Sequence, residues 1–224
     1  MKIGILKETE KSEKRVSISP KIAKLLVEGN IDFTCKANDK TRPIDYAKEY
    51  EKKDMIQFLK EEYAPFYANY VALANTKNSI ESGLSAQLES TVSFFNLIPN
   101  DKLEFKYAEG KWTIKDILLH LIDAERIFTY RALRIARNDN TELSGFEEND
   151  YVKVANANGR EMISIIEEYV SVRKATLTLF KSFSDNQLLR IGKASGCTVS
   201  VRAIGYIIQG HEKHHLSVIN ERYL

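Results

Sequence analysis

A chain of 224 residues with a net charge of +2 has room for one good-sized domain and a small extra piece, and it carries none of the basic surplus a nucleic-acid partner requires. Hydrophobic content of 43% and charged content of 29% are those of a globular protein, and no run approaches the roughly 18 apolar residues of a membrane span. Cys35 and Cys197 have no paired spacing, and MKIGILKETEKSEKR turns charged before an apolar signal core can form, so a soluble cytoplasmic protein without a disulfide framework is expected.

Residues 2–6 (KIGIL) read as a short strand, Pro20 to Glu28 as a short helix closed by Gly29-Asn30, and IDFTC as a second strand. Residues 44–62 read as helix, broken near Lys52. Proline is confined to Pro20, Pro43, Pro65 and Pro99, which leaves everything beyond about residue 100 free to form long helices.

Ile80, Leu84, Leu88, Thr91 and Phe95 mark a first long helix. A capping box at Thr113–Asp116 opens a second, where Ile117, His120, Ala124, Ile127, Arg131 and Arg134 recur at spacings of three and four. A polar connection follows, roughly 138–158, of a length that is usually functional or packed over something. A third helix carries Ile163, Ile166, Val170, Arg173, Leu177 and Phe180, with another capping box at Ser184 and Gln187. The last reads Val201, Ile204, Ile208, His211, His215, Val218 and Arg222. Four long amphipathic helices and one long connection predict a mainly α four-helix bundle, with a small α/β N-terminal appendage.

All four histidines fall at two places, His120 in TIKDILLHLIDAE and His211, His214 and His215 in GHEKHHLSVINERYL. His211 and His215 are four apart and share a helix face with the valines and isoleucines of the seam; His120 lies on the inward stripe of an earlier helix. Burying three imidazoles without partners would cost on the order of 1–3 kcal/mol each. A shared divalent metal removes that cost, so His120, His211 and His215 are the candidate ligands, with open positions for water or substrate. His214 points away from the seam. With three neutral imidazoles the ion is zinc or nickel, suited to lowering the pKa of a bound water or to activating a thiolate. Asp123, one turn from His120, is the candidate to orient a ligand or take a proton, against a plain surface charge; Tyr151 is a candidate cap, against a packed aromatic.

His211-Glu212-Lys213-His214-His215 also matches HExxH, the zinc-peptidase signature. No histidine follows His215 to supply the downstream ligand of those enzymes, and Glu212 lies about 100° around the helix from His211. The third ligand is therefore expected from His120.

YAEGKWTIKDILLHLIDAERIFTYRALRIARND, LSGFEENDYV, VRKATLTLFKSFSD and SVRAIGYIIQGHEKHHLSVINERYL, in that order, resemble the DinB/YfiT-like superfamily from about residue 63 to the end. The resemblance implies an up-down-down-up bundle, a divalent metal on His120, His211 and His215, and often a homodimer. It also implies a small-molecule substrate and an activity among metal-dependent hydrolases and thiol-dependent S-transferases, the latter with a low-molecular-weight thiol as cosubstrate. The competing reading is a non-catalytic metal-binding or interaction module. Residues 1–36 resemble the start of alanine dehydrogenase and transhydrogenase subunits, without their Gly-rich nucleotide fold. Residues 38–60 resemble one ankyrin repeat, Pro43-Ile44-Asp45-Tyr46-Ala47 standing for its TPLHxA. The expected domains are therefore 1–36, 37–62 and 63–224.

Overall fold

Ser79, Thr113 and Ser200 each turn a side-chain oxygen onto the amide three residues ahead, on Ser82, Asp116 and Ala203, and these caps start three of four long helices. The structure, a computed structural model, describes residues 62–74 and 78–224. The strands and helices expected before Glu62 lie outside the described residues, as do the alanine-dehydrogenase-like and ankyrin-like segments. A single 3-10 turn at Pro65–Tyr67 leads into α1 (Ala68–Leu73), followed by α2 (Ile80–Asn96) and α3 (Ile114–Ala136). Then come α4 (Glu148–Ala155), α5 (Met162–Lys181) and the one-turn α6 (Asp185–Leu188). A hairpin of β1 (Ile191–Ala194) and β2 (Cys197–Ser200) precedes α7 (Val201–Arg222).

Hydrogen bonds between α2, α3, α5 and α7 give the topology of the four-helix bundle. Gln87 donates to the Gln209 carbonyl and Thr91 to Glu212, so α2 and α7 run parallel. Arg173 meets Glu125 and Thr176 meets Thr129, so α3 and α5 also run parallel. His120 meets His211 while the Tyr223 hydroxyl reaches back to the Trp112 carbonyl, which makes α3 and α7 antiparallel. The order is up-down-down-up, and the connection after α3 must carry the chain back along the bundle.

That connection is not structureless. It contains α4 and a 3-10 turn at Ala157–Gly159, and its Leu143 exchanges backbone bonds with Lys193 and Ser195 at the hairpin. Glu148–Ala155 is too short to write a three-four stripe, which is why its pattern did not read as helix. The hairpin was also unanticipated: its four-residue strands offer little alternation, and only Ser195 and Gly196, both at positive φ, mark the turn. On α5 the buried face is Ile165, Ile166, Tyr169, Arg173, Thr176 and Phe180, and Ile163, expected on the seam, is 59% exposed. A helix wedged between α2 and α3 buries a wider face than a single stripe.

The core divides in two. One apolar cluster holds Ile80, Leu84, Phe128, Phe180, Ile204 and Ile208, and the other holds Phe95, Ile114, Ile122, Ile165 and Ile219. Between them, halfway along the bundle, lies a buried polar layer: Gln87 and Thr91 from α2, His120 and Glu125 from α3, Arg173 and Thr176 from α5, and Gln209, His211 and Glu212 from α7. No helix among the described residues is long and apolar enough to cross a membrane.

Candidate metal centre

The cap at Thr113 fixes the register of α3, so His120 arrives two turns in, on the face turned to α7. On α7, His211 and His215 stand one turn apart on the facing side. The Nε2 atoms of His120 and His215 each lie 3.1 Å from the Nε2 of His211, and the three donor atoms fall within 4.8 Å of one another. Zn–N bonds of about 2.0–2.1 Å at tetrahedral angles separate nitrogens by roughly 3.3 Å, so the two 3.1 Å pairs fit one divalent ion. Three converging neutral imidazoles are also the right donor chemistry for it.

Aromatic rings enclose the trio. Trp112 lies 4.8 Å from the His120 ring and stacks on His215, while Tyr70 from α1 and Phe128 from α3 meet His211 edge-on. His214, expected off the seam and either next to the ligands or at the surface, is half-buried against Tyr70 and His215. Burial lowers the His120 pKa to about 4 and that of His215 to about 3. Burial, reinforced by the neighbouring imidazoles, takes His211 well below its ordinary value. All three are therefore neutral near pH 7, the state in which an imidazole binds metal.

Beside His120 lies a narrow cleft lined by His120, Asp116, Leu119 and Asp123 of α3 and by Phe146, Tyr151, Val152, Ala155 and Ala157 of the connection. The structure thus places Asp123 in the same cleft as His120. Its carboxyl is half-buried and raised above the usual range by that burial, against the pull of Arg126, whose Nη1 approaches to 3.5 Å. Arg126 is engaged more closely by Glu168, at 2.6 Å. Tyr151 lines the cleft, its ring packed against Phe146.

The sequence profile of the DinB superfamily matches residues 84–219, which takes in all three histidines. The chain belongs to the DinB superfamily. It is 26% identical over 122 residues, 54% of its own length and 68% of the relative's, to a protein of Geobacillus thermodenitrificans named as a proposed metal-dependent hydrolase. In fold it is similar to YfiT from Bacillus subtilis, described as "a probable metal-dependent hydrolase with an unusual four-helix bundle topology". That similarity has a TM-score of 0.53 at 14% identity, over 88% of this chain and 95% of that one.

Two features of this DinB-superfamily chain, the partners of Glu212 and of Arg173, do not show in the sequence pattern, although Arg173 stands on the expected stripe of α5. Glu212, the acid of the apparent HExxH, does not face the cleft. It is buried, with Oε2 accepting from Arg173 and Tyr169 at 2.7 Å each and Oε1 from Thr91 at 2.9 Å. Burial raises its carboxyl while Arg173 works against that rise. An acid so engaged is not free to serve as a peptidase base. The second feature is Arg173 itself, 1% exposed, which holds Glu125 through Nε and Nη2 and caps the Leu84 carbonyl. The signal for Glu125 was present: Leu118, Leu121, Ile122, Glu125, Phe128 and Ala132 form a second buried stripe beside that of His120, apolar everywhere but at Glu125.

Proposed function

We propose that this chain is a metal-dependent enzyme whose His120, His211 and His215 hold a zinc or nickel ion, and that it activates a small nucleophile against an electrophilic small molecule. The nucleophile is water for hydrolysis or a low-molecular-weight thiol for S-transfer. The observation that carries this reading is the number of donors: among the described residues the cluster stops at three. A structural zinc site closes with four protein ligands, whereas three leave a position for solvent or substrate. This disfavours the non-catalytic module.

When bound, the ion supplies Lewis acidity and brings the pKa of a water or thiol toward about 7. The chain's own part is to shape and dry the site and to handle the proton. Trp112, Tyr70 and Phe128 exclude solvent around the imidazoles. Substrate enters by the cleft under the connection, between α3 and Tyr151. Asp123 takes the nucleophile's proton there, its raised pKa moving it toward the range in which a carboxylate works as a base near neutrality.

The test is turnover by zinc- and nickel-loaded protein of a panel of activated esters and alkyl electrophiles, each with and without added thiol. Asp123→Asn should lower the rate about 10²–10⁴-fold with metal content unchanged, and His120→Ala should lose both. Rates that are the same with and without metal would contradict the proposal.

A further inference from the structure

Behind the histidines lies a second small cavity, which shares none of the cleft's side chains and is lined by others. Every residue that lines it is buried, and about 10 Å³ of it is open to the centre of a water molecule, room for one. Its polar wall is His211, Glu125, Arg173 and Glu212. Each hydrogen bond of the His211 ring among the described residues runs through Nε2, toward the other imidazoles. Glu125 accepts from Arg173 alone among the described residues, at 2.8–3.1 Å, so a carboxylate with about four acceptor sites keeps capacity to spare. A metal-binding imidazole is held in orientation and tautomer by whatever its other nitrogen donates to, a carboxylate, a carbonyl or a water.

We propose that one buried water fills this cavity, accepts the Nδ1–H of His211 and donates to Glu125, which makes Glu125 a positioning residue for the metal-binding imidazole. The proposal rests on the reading of the three histidines as a metal site. It gives the buried acid–arginine cluster a task beyond joining helices: through the water, the Glu125 charge keeps the His211 proton on Nδ1 and the Nε2 lone pair aimed at the ion.

The experiment uses the full chain with cobalt(II) as the probe. Cobalt's visible bands report coordination geometry, and its open shell quenches Trp112, the single tryptophan, whose ring lies 4.8 Å from His120. Glu125→Gln is the informative variant, because the amide oxygen can keep the place of Oε2, which accepts from Arg173 Nη2 and Nε, while an NH₂, a donor, takes the place of Oε1. Thr91→Val is the control: it removes a bond to Glu212 in the same cluster but does not line the cavity. Glu125→Gln should bind cobalt roughly 10–100-fold more weakly and with altered bands, while Thr91→Val binds as wild type does, whatever either loses in melting temperature. Wild-type affinity and bands in Glu125→Gln would overturn the water bridge and leave the metal site standing. A wild-type chain that takes up no cobalt would overturn both. If Glu125→Gln does not fold, nitrogen-15 NMR of histidine-labelled, zinc-loaded wild type decides: a slowly exchanging proton on His211 Nδ1 supports the bridge, and an unprotonated or freely exchanging Nδ1 overturns it.

Discussion

Protonating an imidazole that is buried among other imidazoles costs more than protonating one in water, and this has a consequence for stability. The folded-state values for His120 (about 4) and His215 (about 3) lie below the roughly 6.5 of an unfolded chain. Between those limits the unfolded state binds more protons, so stability rises with pH there and is lost on acidification. Metal-free protein should therefore lose stability progressively as the pH falls below about 6.5, as read by denaturant titration across the window. His120→Ala should flatten the slope, and a metal-free wild type with no slope would contradict the burial of the ligands. At this scale the candidate site was legible where residue type and spacing speak together. Three of only four histidines sit on inward stripes, and the structure brings their nitrogens to one point. Arg173 was expected on the inward stripe and is buried there, whereas Glu125 was harder, because an acid inside DAER reads as a solvated charge until the packing of α5 shows otherwise.

Elements were legible in proportion to their length and capping. The expected long helices agree with α2, α3, α5 and α7 to within a few residues, since each writes several turns of its stripe. The hairpin and α4 were missed because four to eight residues do not establish a period. Short α1 was missed for the same reason, yet it crosses α7 so closely that a Cβ on Gly210 would lie 1.7 Å from the Tyr70 carbonyl oxygen. Gly210→Ala must push α1 away, and with it the Tyr70 ring that covers His211. A loss of about 1–3 kcal/mol is expected by denaturant unfolding, with weakened metal retention; unchanged stability would mean that α1 is not docked there. Glu62 is fastened to the far end of the bundle. It accepts from Ser200 Oγ and Arg202 Nε at 2.7 Å each, and its carbonyl takes the Ser200 amide at the start of α7. A truncated chain beginning at Tyr63 should therefore be less stable than one beginning at Phe58, by about 1–3 kcal/mol for the lost buried carboxylate, and melt at a lower temperature. Equal melting would show that Glu62 contributes nothing.

Across the whole molecule, the four-helix plan followed from four stripes and scarce proline, while the up-down-down-up order was expected from the family resemblance and not from the stripes. Helix directions depend on whether the connection after α3 turns back at once or travels the length of the bundle, and a polar segment of about twenty residues allows both. The structure shows the second, and the return path is what lays Phe146 and Tyr151 over the cleft beside His120. The same plan puts a buried polar layer between two apolar clusters, with the three imidazoles at its edge and the Glu125–Arg173–Glu212 cluster within it. The direct measurement of the central claim is the metal content of the purified chain after zinc loading and exhaustive dialysis, for wild type, His120→Ala and His215→Ala, each shown to be helical by circular dichroism. The three-histidine centre predicts one ion per wild-type chain and close to none in either variant. Equal content in all three would contradict it.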